Sequence, residues 1–190
     1  MIKLQFIDNT ALQNYLDDLQ NLHGQKLKFS IDSKKEHHDV SYICFNENNM
    51  AGAPIIFYVD DDLDDLRLFE EAVGQIADVT LFERGIDMMN LLKGEKKPEV
   101  VFIDLNMPMK SGYEVIQEIR SFDIQNEIAV VVLSTASDNF SVTKSRDLGA
   151  NYFIQKPISL NKLRKAVDHT LKIDWKKFKP TYGEFIHKHS

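Results

Sequence analysis

Two short apolar runs, each ended by carboxylates, constrain this chain more than any other feature. Ile55-Ile56-Phe57-Tyr58-Val59 runs into Asp60-Asp61-Asp62, and Val100-Val101-Phe102-Ile103 runs into Asp104, with Leu105-Asn106-Met107-Pro108 following. Both runs have the length and β-rich composition of strands buried on both faces, as parallel sheets require. Their carboxylates would then emerge at strand C-termini, where open α/β sheets carry their chemistry. Carboxylates crowded at one sheet edge repel each other unless a cation lies between them, so the pattern asks for a hard divalent metal with oxygen ligands. The same residues also suit two solvated, Asp-rich turns, each leading into a helix.

Two further runs narrow that choice. Ala129 to Leu133 ends in Ser134-Thr135-Ala136, which puts a hydroxyl within reach of a group in the acidic pocket. Tyr152-Phe153-Ile154 leads to Lys156-Pro157, which supplies the positive charge that a phosphoryl group needs. Each signal is weak alone, since Thr at a strand end is ordinary β-propensity and Lys before Pro is usually at the surface. The ordered set of four, one at the end of each successive candidate strand, is specific.

Between these runs lie helical patterns. Asp64 to Val73 places Leu66, Phe69, Ala72 and Val73 on one face, with Asp64 and Asp65 in the first turn, where negative charge suits the helix dipole. Val79 to Phe82 reads as the second strand, and Ile86 to Leu92 as the second helix, stopping at Gly94. Ser111-Gly112-Tyr113-Glu114 has capping-box spacing and opens a helix to about Arg120, with Val115, Ile116 and Ile119 apolar. Phe140 to Leu148 is the fourth helix, and Ser159 to about Ile173 the fifth, with Leu160, Leu163, Ala166, Val167 and Leu171 as its stripe. Five β/α units in succession predict a doubly wound, three-layer α/β sandwich with a five-stranded parallel sheet.

At these residues the chain resembles the receiver domain of two-component response regulators. The matching pieces are Tyr58 to Asp62, Ile103 to Pro108 with Ser111-Gly112, Leu133 to Ala136, and Gly149-Ala150 leading to Lys156-Pro157. The resemblance covers roughly residues 54 to 173 and implies a flavodoxin-like strand order of 2-1-3-4-5. It implies that Asp104 is the phosphoacceptor, attacking phosphorus in line to become an acyl phosphate. Asp61 and Asp104 would be direct Mg²⁺ ligands, Asp60 would act partly through metal-bound water, and the Asn106 backbone carbonyl would complete the protein ligands. Asp62 reads instead as a solvated turn residue.

By the same resemblance, Lys156 pairs with a phosphoryl oxygen and the Lys156-Pro157 bond is cis. Thr135 hydrogen-bonds another phosphoryl oxygen, and an aromatic on the fifth strand turns from exposed to buried. Phe153 holds that place, although an ordinary core aromatic would look the same, and it lacks the hydroxyl of the commoner Tyr. Phosphorylation would alter the surface formed by the fourth helix, fifth strand and fifth helix. The implied phosphoryl donor is a histidine kinase or histidine phosphotransfer protein, and the output partner is a protein that the sequence does not name. Asn106 and Ser137, each two residues beyond a site residue, would tune the acyl-phosphate lifetime. Chemistry would be limited to self-catalysed phosphorylation and autodephosphorylation. A Mg²⁺-dependent phosphohydrolase with an aspartyl nucleophile would want an acid two residues beyond Asp104, where Asn106 stands. A pseudo-receiver that binds partners without phosphorylation is a further alternative, although every expected site residue is present.

The 190 residues are 43% hydrophobic, enough for one good core and a small appendage. One cysteine, Cys44, excludes an intramolecular disulfide, and no apolar stretch is long enough to span a bilayer. With no signal-peptide pattern after Met1, a cytoplasmic location with no membrane partner is expected. A net charge of −6 argues against nucleic acid as the main partner. A dimer is compatible with the sequence.

Residues 1–53 lie outside the resemblance and read as a small α+β appendage. Lys3 to Ile7 suggests a strand, Thr10 to Leu22 a helix, Leu27 to Ile31 a second strand and Val40 to Phe45 a third. His37-His38 between Glu36 and Asp39 reads as a charged turn rather than a metal site, and Asn46 to Ala53 as a linker. Met50 stands where many receivers begin, so an upstream start would also account for the appendage. In the tail, residues 174–190, Trp175 and Phe178 are expected to pack back on the sandwich and the rest to be a mobile terminus, too short for a DNA-binding or catalytic output domain.

Overall fold

The structure, a computed structural model, describes residues 3–6, 28–32, 38–43, 52–94, 97–122 and 127–188. The chain divides into two compact units, Met1–Met50 and Ala51–Ser190. In the first, strands β1 (Lys3–Phe6), β2 (Lys28–Asp32) and β3 (His38–Ile43) form an antiparallel sheet with β3 in the middle. All three expected strands are present, each bound within two residues of the sequence reading. His38 lies on β3 opposite Phe6 rather than in a turn. The expected helix Thr10 to Leu22, His37 and most of the linker fall outside the described residues.

The second unit is the doubly wound sandwich. Its strands are β4 (Ile55–Val59), β5 (Asp78–Phe82), β6 (Val100–Ile103), β7 (Ala129–Ser134) and β8 (Tyr152–Gln155). All pairings are parallel, in the order β5-β4-β6-β7-β8. Counted from β4, that is the expected 2-1-3-4-5. The intervening helices are α1 (Leu63–Val73), α2 (Gly85–Leu92), α3 (Gly112–Ser121), α4 (Asn139–Asp147) and α5 (Leu160–Leu171).

Period-2 alternation along strands buried on both faces builds two cores. Phe57, Val59, Val101, Ile103, Val130, Val132 and Phe153 face one core, with Met88 and Leu92 of α2 and Val115, Ile116 and Ile119 of α3. Ile56, Tyr58, Phe102, Val131, Leu133 and Ile154 face the other, with Leu66 and Phe69 of α1 and Leu163, Ala166 and Val167 of α5. The Ser111 capping box is formed, with Ser111 Oγ accepting from the Glu114 N–H and the Glu114 carboxylate accepting from the Ser111 N–H. Arg120, on α3, donates to the Gly149 carbonyl at 2.9 Å, the Ile128 carbonyl at 3.1 Å and Asn151 Oδ1 at 2.5 Å, tying that helix to the loops around β7 and β8. Gly149 itself has φ of +99°, which the turn between α4 and β8 requires.

Beyond α5 the chain corrects the expectation of a mobile terminus. Trp175 and Phe178 do pack against the core, as expected. Residues 182–187 pack as well: α6 (Tyr182–Phe185) opens with a Thr181–Glu184 capping box, and Phe185 is fully buried with its ring 6.4 Å from that of Phe153. Ile186 forms a parallel bridge with Phe153, and the His187 N–H donates to the Phe153 carbonyl at 2.8 Å. Tyr182 reaches α4, with the Arg146 guanidinium 5.7 Å from its ring. The physical reason is that β8 is an edge strand with unpaired backbone groups, and the tail pairs and covers it.

Truncating a fully buried Phe leaves a cavity. Phe185→Ala is expected to lower the stability of the chain by about 3 kcal/mol, read as a shift of the urea unfolding midpoint without loss of parallel-sheet circular dichroism.

Candidate functional site

Ladder hydrogen bonds continue just past the ends of β4 and β6, and they fix where the two carboxylates stand. Asp60 donates its backbone N–H to the Phe82 carbonyl and Asp104 donates to the Val59 carbonyl, each at 3.0 Å. Because β4 pairs with β5 on one side and β6 on the other, these residues sit at the topological switch point of the sheet. The loop after Asp104 is anchored by burial of Leu105 and Met107, while Asn106 between them is exposed. Gly112 packs tightly against this loop. A Cβ there would stand 2.1 Å from the Asp104 carbonyl oxygen and 2.8 Å from Leu105 Cα, so only glycine permits the approach.

Asp60 and Asp104 are buried and Asp61 is exposed, and one carboxylate oxygen from each lies within 4.8 Å of the others. Asp104 Oδ2 accepts from the Asn106 N–H at 2.6 Å. Asp60 Oδ1 accepts from the Asp62 N–H at 3.1 Å, and its Oδ2 accepts from the buried Tyr58 hydroxyl. Lys156 comes in from the end of β8, its backbone N–H bonded to the Ser134 carbonyl at 2.9 Å. Its ammonium nitrogen lies 2.7 Å from Asp60 Oδ2, 2.6 Å from Asp65 Oδ2 and 3.2 Å from Asp104 Oδ1. The expected cis bond is corrected: among the described residues every peptide is trans, Lys156-Pro157 included. Trans is the favoured isomer of X-Pro bonds, and here the ammonium reaches its partners from it.

Burial pushes the Asp60 carboxyl above the usual carboxylate range, against the pull of its bonds with Lys156 and Tyr58. Burial likewise raises the Tyr58 phenol, and the neighbouring Asp60 charge raises it further. For Lys156 burial favours the neutral amine, but hydrogen bonds to Asp60 and Asp65 and the charges of Asp60 and Asp104 outweigh it, so the group is held firmly protonated.

The structure thus brings together Asp60, Asp61, Asp104 and Lys156, with Asn106 two residues further along the Asp104 loop. Asp62 serves as the N-cap of α1, its Oδ1 accepting from Asp64 N–H at 2.8 Å, in keeping with the turn role read for it. Thr135 is exposed one residue beyond β7 and is not part of the carboxylate–ammonium network. Phe153 is fully buried beneath Phe185. Sequence reasoning missed Asp65 and Tyr58. In the sequence Asp65 reads only as a first-turn acid on α1. The helix-start signal carries more information than that, because a helix that begins at the acidic strand end lays its first turn over the pocket.

A family model described as "Response regulator receiver domain" matches residues 56–168. Response regulator Rcp1 of Synechocystis is 31% identical over 122 residues, covering 60% of this chain and 83% of Rcp1. A probable C4-dicarboxylate response regulator, DctR of Bacillus subtilis, is 36% identical over 84 residues, which are 44% of this chain and only 36% of DctR. Among solved structures, the phosphorylated cyanobacterial phytochrome response regulator RcpA is similar at 32% identity and TM-score 0.59, covering 68% of this chain and 98% of RcpA. The Mn²⁺-bound form of Rcp1 is similar at 28% identity and TM-score 0.57, covering 67% of this chain and 99% of that one.

Removing the ammonium would leave buried carboxylates without a counter-charge. In EDTA, Lys156→Met is expected to cost about 3 kcal/mol of unfolding free energy, measured by urea denaturation beside the unaltered chain.

Proposed function

Because the chain belongs to the response regulator receiver family, we propose that it accepts a phosphoryl group on Asp104 and signals through the resulting change of a protein-binding surface. The observation that carries this reading is the convergence of Asp60, Asp61 and Asp104 on one point with the Lys156 ammonium beside them. The donor is a phosphohistidine on a histidine kinase or histidine phosphotransfer protein. The chain then acts on an output protein or as a station in a phosphorelay.

An oxygen of the Asp104 carboxylate attacks phosphorus as the phosphorus–nitrogen bond to the donor imidazole breaks. The bonding pair leaves with the imidazole, which takes up a proton, and an acyl phosphate remains on Asp104. Lys156 holds positive charge beside the acceptor and pairs with a phosphoryl oxygen once the group has arrived. The Thr135 hydroxyl donates to another phosphoryl oxygen, which draws in the segment after β7. Phe153, on the neighbouring strand, belongs to the same switch.

The donor set fits Mg²⁺: three carboxylates, two of them buried, offer hard oxygen ligands at spacing suited to one small cation. Asp60, Asp61 and Asp104 would hold it, with the Asn106 backbone carbonyl. Bound there, Mg²⁺ would neutralise charge on the phosphoryl oxygens. Hydrolysis of the acyl phosphate by the chain itself returns it to the resting state.

The test is intact-protein mass after incubation with acetyl phosphate, with Mg²⁺ or with EDTA. A single phosphoryl adduct is expected with Mg²⁺, absent in Asp104→Ala and strongly reduced in Lys156→Ala. No adduct on folded, Mg²⁺-supplied protein would overturn acceptance from small donors and leave either a non-phosphorylated binding module or an acceptor loaded only by its cognate phosphohistidine protein. Mg²⁺ affinity is also expected to fall with pH sooner than for an ordinary Asp site. The Asp60 carboxyl is raised, so protons compete with the cation from a higher pH; titration calorimetry across the acid range reads this directly.

A further inference from the structure

A second site lies away from the acidic pocket. The C-terminal segment does not lie flush on α5: between them is a cavity of about 480 Å³, within the range of small-molecule sites. From α5 it receives Lys162, Lys165 and His169, which share one helix face by their spacing. The tail contributes His187 and Lys188 from the opposite side, and Tyr152 and Phe178 give it aromatic walls. The Tyr152 hydroxyl is 3.1 Å from His187 Nδ1, and the His169 and His187 rings are 5.4 Å apart, so both imidazoles stand close together at the cavity.

Charge here runs against that of the whole chain, whose net is −6. Three ammonium groups line the cavity against a single carboxylate, Glu184. That carboxylate is already engaged, accepting from the Thr181 N–H at 2.9 Å and hydroxyl at 2.7 Å. The nearest acids along the sequence are engaged too: Asp168 pairs with Lys172 at 2.5 Å and Asp174 with Lys177 at 3.0 Å. Among the described residues Lys162, Lys165 and Lys188 have no salt-bridge partner. Concentrated positive charge beside aromatic faces selects an anion of high charge attached to a flat ring.

We propose that this cavity binds a small polyanion carrying a flat ring, the chemistry of a nucleoside diphosphate. The ring lies against Tyr152 and Phe178, and the phosphates meet the lysines and imidazoles. Because the ligand joins α5, β8 and the tail, its binding holds the tail against the sandwich.

The experiment is calorimetric titration of the full chain with ADP, pyrophosphate and adenosine, in EDTA so that no metal bridges a nucleotide to the acidic pocket. ADP is expected to bind saturably at one site, with pyrophosphate and adenosine each at least about tenfold weaker. Lys162 and Lys165 are exposed, so Lys162→Glu/Lys165→Glu should keep its fold and weaken ADP at least about tenfold. The milder Lys165→Gln should weaken it less, and Asp104→Asn should leave it unchanged. Absence of saturable ADP binding at millimolar concentration overturns the proposal, as does ADP affinity indifferent to both lysine variants. Adenosine matching ADP would overturn the anionic requirement, and pyrophosphate matching ADP the requirement for a ring. Loss of binding in Asp104→Asn would move the ligand to the acidic pocket and overturn the site.

Discussion

The Lys156 ammonium is the contact on which this sheet edge depends. Parallel strands β4 and β6 end side by side, so the fold brings Asp60 and Asp104 together whatever that costs in repulsion. Burial raises the cost, since charges taken from water need a partner close by. Lys156 meets three carboxylates at once, two buried ones from strand ends and Asp65 from the first turn of α1. One side chain therefore ties β8 to β4, β6 and α1 at the point where they converge. The divalent cation proposed for this site would answer the same excess of negative charge from the open side, where Asp61 is exposed.

The surrounding architecture keeps these groups in place. Strands buried on both faces leave little freedom for strand ends to drift, and the loop after Asp104 is pinned by Leu105, Met107 and the close passage of Gly112. At the far edge the tail performs a comparable service. It pairs with β8, seals Phe153 under Phe185 and touches α4, so Phe153 is packed from outside as well as inside. Any rearrangement of Phe153 in this chain has to move Phe185 or work around it.

Much of the fold was legible in advance because its signals are local. Five apolar runs of strand length, the stripe of α5 and the Ser111 capping box are properties of a few consecutive residues, and each element appears within one or two residues of its expected bounds. Asp60, Asp61, Asp104 and Lys156 were legible for the same reason, as each follows directly on a strand. Asp65 and Tyr58 were not. Asp65 reaches Lys156 across a separation of 91 residues, and although Tyr58 and Asp60 share a strand face, a phenol inside an apolar run reads as core until its hydroxyl is seen to meet the carboxylate.

By itself the sequence determined the alternation of strands and helices, the parallel sheet and the crowding of charge at one end of it. These follow from side-chain periodicity and from which residue types end each run, and they hold before any long-range contact is formed. Tertiary structure alone decided which acid the lysine also grips, that its X-Pro bond is trans, and that Phe185, Ile186 and His187 cover β8. The physical reason is that an open strand edge, a buried aromatic and an unpaired charge each take the best partner that packing brings near, and those partners lie far along the chain.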